Sequence, residues 1–264
     1  MASPQLGRTG VSVSAQHAAS KVPQITVYFW IIKILTTAGG EAASDYLALH
    51  NKVVGGAIEI AVLCVALFLQ FRVRRYSAPQ YWFLAYAIAT AGTGIADTMH
   101  LTIGLPYSVT TAFWAIVLAV VFWYWQRSEG TLSIHSIVTR RRELDYWATV
   151  FATFALGTAL GDFTATALHL GYLGSGILFA VLITLPWIAW QGFRANDIAA
   201  FWTAYVLTRP LGASFADYFS KARDLSGLNY GDGPTALVLT LILVVLVTYV
   251  AVVRRDIQPP AQRA

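Results

Sequence analysis

Six carboxylates interrupt otherwise apolar stretches of the chain: Glu41, Asp45, Glu59, Asp97, Asp162 and Asp217. Lys33 and Arg209 are the bases that stand in the same stretches. An ionised side chain at the centre of a membrane helix costs about 2.5–3.5 kcal/mol on insertion scales. Two bases cannot neutralise six acids, so the surplus is protonated, hydrated or bound to a cation. Carboxylates and hydroxyls with a single cysteine, Cys64, make a hard, oxygen-rich donor set. Such a set suits protons, sodium, magnesium or manganese. Glu41 and Asp45 lie one helical turn apart, and Glu59 enters the next span at a similar depth. These three form the expected acidic cluster, with Asp217 as the fourth candidate metal ligand. Arg209, two turns before Asp217, is expected to pair with Glu41 or Glu59, and Pro210 frees a backbone carbonyl beside it. Lys33 is the deepest charge, a fixed counter-charge or a proton carrier.

A repeat places these residues. Tyr or Phe followed by Trp precedes an Asp by 15 residues in four copies: Phe29-Trp30 to Asp45, Tyr81-Trp82 to Asp97, Tyr146-Trp147 to Asp162 and Phe201-Trp202 to Asp217. Five residues before each Asp is a glycine: Gly40, Gly92, Gly157 and Gly212. Such self-similarity sets the architecture before any other reading. Counting back from each Asp in steps of four follows one helical face. That face carries Glu41, Thr37 and Lys33 in the first copy, Thr93 in the second, Thr158 in the third and Arg209 in the fourth. Thr37, Thr93 and Thr158 are auxiliary hydroxyls. His100 and His169 follow the second and third Asp and could join an outer proton or metal site. The stripe beside it is small, which lets helices approach closely in lipid. The four glycines are therefore read as packing residues.

Composition agrees with a membrane protein: 57% hydrophobic and 12% charged residues in 264, against roughly 25% charged in soluble domains. The net charge of +5 is read as topology-setting loops, not a nucleic-acid surface. The fold class expected is all-α and polytopic, with about eight transmembrane helices in four two-helix repeats. The odd-numbered helices, richer in small and polar residues, form an inner bundle, and the even-numbered ones face lipid. Residues 1–20 read as a flexible cytoplasmic tail without a cleaved signal peptide. Residues 21–127 hold repeats 1 and 2, 128–142 a cytoplasmic linker, 143–255 repeats 3 and 4, and 256–264 a second tail. Gly171, Gly174 and Gly176 suggest a turn, and Pro186 a kink. Of the loop and tail bases, 13 fall on the side of the termini and 3 on the other. Both termini are then cytoplasmic, and the repeat helices run parallel, with each Asp toward the outside. There a carboxylate opposes the helix dipole. A break near the glycines would instead set each Asp at the start of a half-helix, as in transporters.

Phe29-Trp30-Ile31-Ile32-Lys33, Gly40-Glu41 with Ser44-Asp45-Tyr46, and Thr208-Arg209-Pro210-Leu211-Gly212-Ala213-Ser214 with Asp217 resemble an uncharacterised bacterial membrane family. That family is built from four tandem copies of a two-helix repeat of unknown function, each with a Trp. The resemblance covers about Val22 to Arg255 and implies architecture, with no activity attached.

The function these readings predict is transport of a small hard cation across the bacterial cytoplasmic membrane. It would be coupled, and carried by the six acids with Lys33 and Arg209 as counter-charges. The partners are the lipid bilayer and the cation, with no nucleic acid; a homo-oligomer is compatible. No cofactor is evident beyond a bound cation, and no HExxH, P-loop, GxSxG or dinucleotide pattern occurs. Two rival readings stay open. One is a membrane-embedded enzyme, sensor or scaffold acting on lipid or a partner protein. The other is an anion or organic-solute carrier using Lys33 and Arg209. A cavity opening between helices to the lipid favours the first rival; a cavity open at one aqueous face favours transport.

Overall fold

The computed structural model describes Ser20–Ile257. Most of both expected tails, together with Arg8 and Arg263 of the charge count, lies outside these residues. Helices α1 (Val27–His50), α2 (Lys52–Arg72), α3 (Ala78–Asp97) and α4 (Tyr107–Glu129) form the first half. The second half has α5 (Arg140–Asp162), α6 (Gly171–Leu182), α7 (Thr184–Phe193), α8 (Asp197–Ser220) and α9 (Asp232–Val253). Side-chain caps mark several starts. Asn51 ends α1 and accepts from the amides of Val53 and Val54, so one residue turns the chain into α2. Thr139 caps α5 and Asn196 caps α8 in the same way.

The expected turn at Gly171, Gly174 and Gly176 is corrected, because α6 begins at Gly171. Only Gly171 turns the chain, with φ of 65°, and the Ser226 hydroxyl accepts from the amide of Tyr172. The expected kink falls at Ile183, between α6 and α7. Pro186 lacks the amide that would bond to the carbonyl of Leu182 one turn earlier.

Helices α1, α3, α5 and α8 pack side by side in a closed ring, α1 on α3, α3 on α5, α5 on α8 and α8 on α1. Each outer helix seats on the inner helix of the following repeat: α2 on α3, α4 on α5, α6 and α7 on α8, and α9 on α1. The four glycines lie on the four inner seams in one register. Gly40 meets Ala89, Gly92 meets Phe154, Gly157 meets Arg209 and Gly212 meets Thr37. Each contact joins a position five before one Asp to a position eight before the next, so the inner helices are parallel and equivalent. A Cβ on Gly40 would lie 2.2 Å from the Ala89 Cβ. No helix breaks at these glycines. Instead a π-helical turn follows Asp97 over Thr98–Thr102 and follows Asp162 over Phe163–Ala167.

Among the described residues, five helical segments are long and apolar enough to cross a membrane: Lys52–Arg72, Tyr107–Glu129, Arg140–Ala167, Gly171–Phe193 and Asp232–Val253. Three of the inner helices, α1, α3 and α8, are not among them, because their polar, charged and small residues lower the mean hydropathy. The outer helices expose large apolar side chains instead, among them Phe68, Ile116, Trp187 and Val245.

The segment between α4 and α5 is docked against the bundle. Ile134 and Ile137 are buried, and Trp202 Nε1 donates to the Leu132 carbonyl at 2.9 Å. Ser20 and Asp256 are buried, and the Tyr76 hydroxyl donates to Asp256 Oδ2 at 2.5 Å. Aromatic side chains contribute here by burying a large area while Trp202 and Tyr76 each find a polar partner.

Candidate functional site: a charged axis inside the inner bundle

Equivalent positions on four parallel helices fall on the same level, so the bundle interior is layered. At about 1.5 Å per residue the interval from each Trp to its Asp spans about 22 Å.

The lowest layer is aromatic. Phe29 packs against Trp82, Phe201 and Tyr205, Tyr81 against Trp147, and Tyr146 against Trp202. The Tyr81 and Tyr146 hydroxyls bond to each other. The repeated aromatic pairs therefore close this end of the bundle. Beneath them a buried Glu143 accepts from Lys21 Nζ at 2.5 Å and from Gln70 Nε2 at 3.1 Å. Sequence reasoning did not single out Glu143, because an acid in the first turn of a helix reads as an ordinary dipole partner.

Lys33 lies in the next layer. Its side chain is fully buried, with Nζ 3.9 Å from the Phe154 ring centre and 4.2 Å from that of Tyr205. No hydrogen bond reaches Nζ among the described residues. The rings supply cation–π attraction in place of a carboxylate.

At the core the four repeats meet on one guanidinium. Arg209 from α8 is fully buried, and its Nη2 donates to Glu41 Oε2 of α1 at 2.5 Å. The same nitrogen reaches the hydroxyls of Thr93 from α3 and Thr158 from α5, the latter at 2.6 Å. Thr93 also donates to Glu41 Oε2 at 2.9 Å. Glu41, Thr93 and Thr158 are the same repeat position in copies one to three. Thr37 serves the α1–α8 seam: its hydroxyl donates to the Thr208 carbonyl at 3.2 Å, and its own carbonyl accepts from Arg209 Nη1. Arg209 Nε has no hydrogen-bond partner among the described residues.

The outer layer is acidic. Asp45, Asp97, Asp162 and Asp217 share one electrostatic environment with Glu41 and Lys221. Carboxylate oxygens of Glu41, Asp45 and Asp217 lie within 4.8 Å of one another. Lys221 Nζ stands at 2.7 Å from Asp45, 3.1 Å from Asp232 and 3.9 Å from Asp217. Burial disfavours that ammonium, but Asp45 and Asp217 outweigh it and hold its pKa above the usual lysine range. Asp217 Oδ1 is buried without a hydrogen-bond partner. No salt bridge reaches Asp97 or Asp162 among the described residues. Lys221 was missed because it reads as a loop base. Its spacing of four from Asp217 at a helix end was the available signal.

Glu59 is placed elsewhere. It accepts from the Ser44 hydroxyl at 2.5 Å and lies against Gly94, where a Cβ would come within 2.1 Å of Oε2. The third member of the cluster with Glu41 and Asp45 is thus Asp217, brought in by ring closure between the first and last repeats. Glu59 is held apart because α2 seats on α3, at a cavity of about 240 Å³ that Asp97 also lines. Among the described residues, neither His100 nor His169 joins the carboxylates of Glu41, Asp45 and Asp217. His100 bonds to the Leu105 carbonyl and stacks on Tyr107, and His169 is exposed on a left-handed turn.

Among the described residues, five long apolar helices, four outer and one inner, mark an integral membrane protein made of four helix pairs. The chain belongs to the family described as Repeat of Unknown Function (DUF347), which matches residues 28–76, 80–131, 146–196 and 200–256. Each match takes in one inner helix and the outer helix that follows it. No curated protein matches the chain. No solved structure matches it either.

Proposed function

We propose that this protein is an eight-span transporter of a small hard cation, with both termini cytoplasmic and the acidic layer facing outside. The observation that carries the reading is the cluster of Glu41, Asp45 and Asp217, whose oxygens lie within 4.8 Å of one another. Asp217 Oδ1 is buried without a hydrogen bond, and its nearest base is Lys221 Nζ at 3.9 Å. An oxygen set of this kind binds protons, sodium, magnesium or manganese in preference to softer ions. The Lys221 ammonium already sits among these carboxylates as a tethered cation. A cation arriving from the outside displaces it and draws Glu41 away from Arg209. Arg209 cannot lose its proton, so its release from Glu41 is the charge-compensating step. The aromatic layer holds the inner end shut in this conformation.

The lipid-acting alternative is less well supported. A cavity of about 810 Å³ lies at the opposite end, among Trp30, Trp187, Trp190 and Phe201. Its carboxylate, Asp197, accepts from Trp190 Nε1 at 2.7 Å. The cavity and the acids are therefore separate.

Uptake by proteoliposomes across sodium, magnesium, manganese and a proton gradient tests the proposal. One of these ions should be taken up, and Glu41→Gln should abolish that uptake while exposed Asp224→Asn leaves it intact. Uptake unchanged by Glu41→Gln, or none for any of the four, would refute it.

A further inference from the structure

A second charged feature lies at the aromatic end, outside the acidic axis. Arg72 ends α2, Arg74 follows it, and Arg140 opens α5. With Lys21 and Phe71 they line a cavity of about 590 Å³. Glu143 and Glu129 are engaged by other bases. Glu143 is held by Lys21 and Gln70, and Glu129 by Arg141 and Arg142. Among the described residues no salt bridge reaches Arg72, Arg74 or Arg140.

Two of these guanidinium groups are positioned by aromatic rings. Arg72 lies 4.6 Å from the Phe68 ring centre and Arg140 5.3 Å from that of Phe71. Stacking leaves the N–H edges of a guanidinium available to an oxyanion. The positive end of the α5 dipole points the same way, and the Thr139 hydroxyl takes the Arg142 amide only. Above the cavity, α2 exposes Val65, Phe68 and Leu69 along the face that leads toward mid-membrane.

We infer that this pocket binds a phosphate group, supplied by the headgroup of an anionic phospholipid of the cytoplasmic leaflet. Three unpaired guanidiniums match the phosphate oxygens, and the apolar α2 face accommodates an acyl chain. Basic clusters at the cytoplasmic ends of membrane helices meet anionic headgroups at this depth. The inference needs the membrane placement, and it does not depend on transport.

Binding of dioctanoyl-phosphatidylglycerol to the full chain in neutral detergent, read by native mass spectrometry, tests it. Dioctanoyl-phosphatidylcholine and inorganic phosphate serve as the other arms. The pair Arg72→Gln with Arg140→Gln should weaken phosphatidylglycerol binding by about tenfold or more. The pair Arg127→Gln with Arg255→Gln removes the same charge from exposed positions elsewhere and should change it less than about twofold. Little phosphatidylcholine should bind. Saturable binding of inorganic phosphate, lost in the same pair, would keep the phosphate site and assign it to a free anion. Equal loss in both pairs, or no saturable binding of any probe, would overturn the inference. Retained melting temperature in each pair excludes unfolding as the cause.

Discussion

Arg209 Nη2 lies 2.5 Å from Glu41 Oε2, and both side chains are almost wholly out of contact with solvent. They come from the last and the first repeat, 168 residues apart. Their ion pair therefore closes the ring of inner helices as well as neutralising two buried charges.

Breaking that pair on one side leaves a buried charge uncompensated, a loss of about 3–5 kcal/mol. Arg209→Met should lower the melting temperature strongly in detergent. Combining it with Glu41→Gln should recover much of the loss. A double variant no more stable than Arg209→Met would show that the two residues do not act as a pair.

Packing at the seams gives a second prediction. A Cβ on Gly157 would lie 2.3 Å from Arg209 Cγ, whereas one on Gly56 meets nothing within 4 Å. Gly157→Ala should destabilise by about 1–3 kcal/mol, and Gly56→Ala should stabilise by roughly 0.5–1 kcal/mol. Thermal unfolding of both variants decides the matter, and equal shifts would contradict the seam geometry.

Lys33 is a buried amine with two rings for neighbours and no carboxylate bonded to it. Lys33→Met keeps the apolar stem and removes the desolvated head. It should be neutral or stabilising by about 1–4 kcal/mol, while cation uptake falls. Marked destabilisation would mean that the amine has a structural partner in solution.

Lys221 should compete with the transported ion. Lys221→Gln frees Asp45 and Asp217 and should tighten cation binding on the order of tenfold, measured by titration calorimetry. The raised lysine pKa fixes the pH dependence. Its stabilising contribution is complete below the unfolded value of about 10.4, and is lost only as pH rises through the higher folded value. The melting-temperature difference between wild type and Lys221→Gln should therefore stay level from about pH 8 to about pH 9.5. A steep fall in that window would mean that the ammonium is not held by these carboxylates.

Topology is checked by cysteine labelling in a Cys64-free background. A cysteine at position 51 should label from outside and one at position 131 only from inside. Outside labelling at 131 would overturn the orientation.

Much of the architecture was legible because a repeat with fixed offsets leaves little freedom. The Trp, Gly and Asp positions fix one inner helix per copy, and the Leu- and Val-rich stretches fix the outer ones. The pairing of Arg209 with Glu41 was one of two expected options. The desolvation cost of an arginine demanded an acid, but spacing alone could not choose between Glu41 and Glu59. The turn expected at Gly171, Gly174 and Gly176 holds only at Gly171, because Gly174 and Gly176 continue α6 and Phe215 of α8 lies against Gly176.

By itself the sequence determined the four helix pairs, their parallel inner helices and the repeat positions that carry Lys33, Glu41, Arg209 and the four Asp residues. Those follow from local periodicity, from hydropathy and from the cost of ionised groups in lipid. Only the tertiary structure decided which charges meet. Seating each outer helix on the following repeat turns Glu59 onto Gly94, and ring closure brings Asp217 and Lys221 to Asp45. Those contacts join residues far apart in the chain, and helix rotation and register within the bundle set them; no local pattern encodes either.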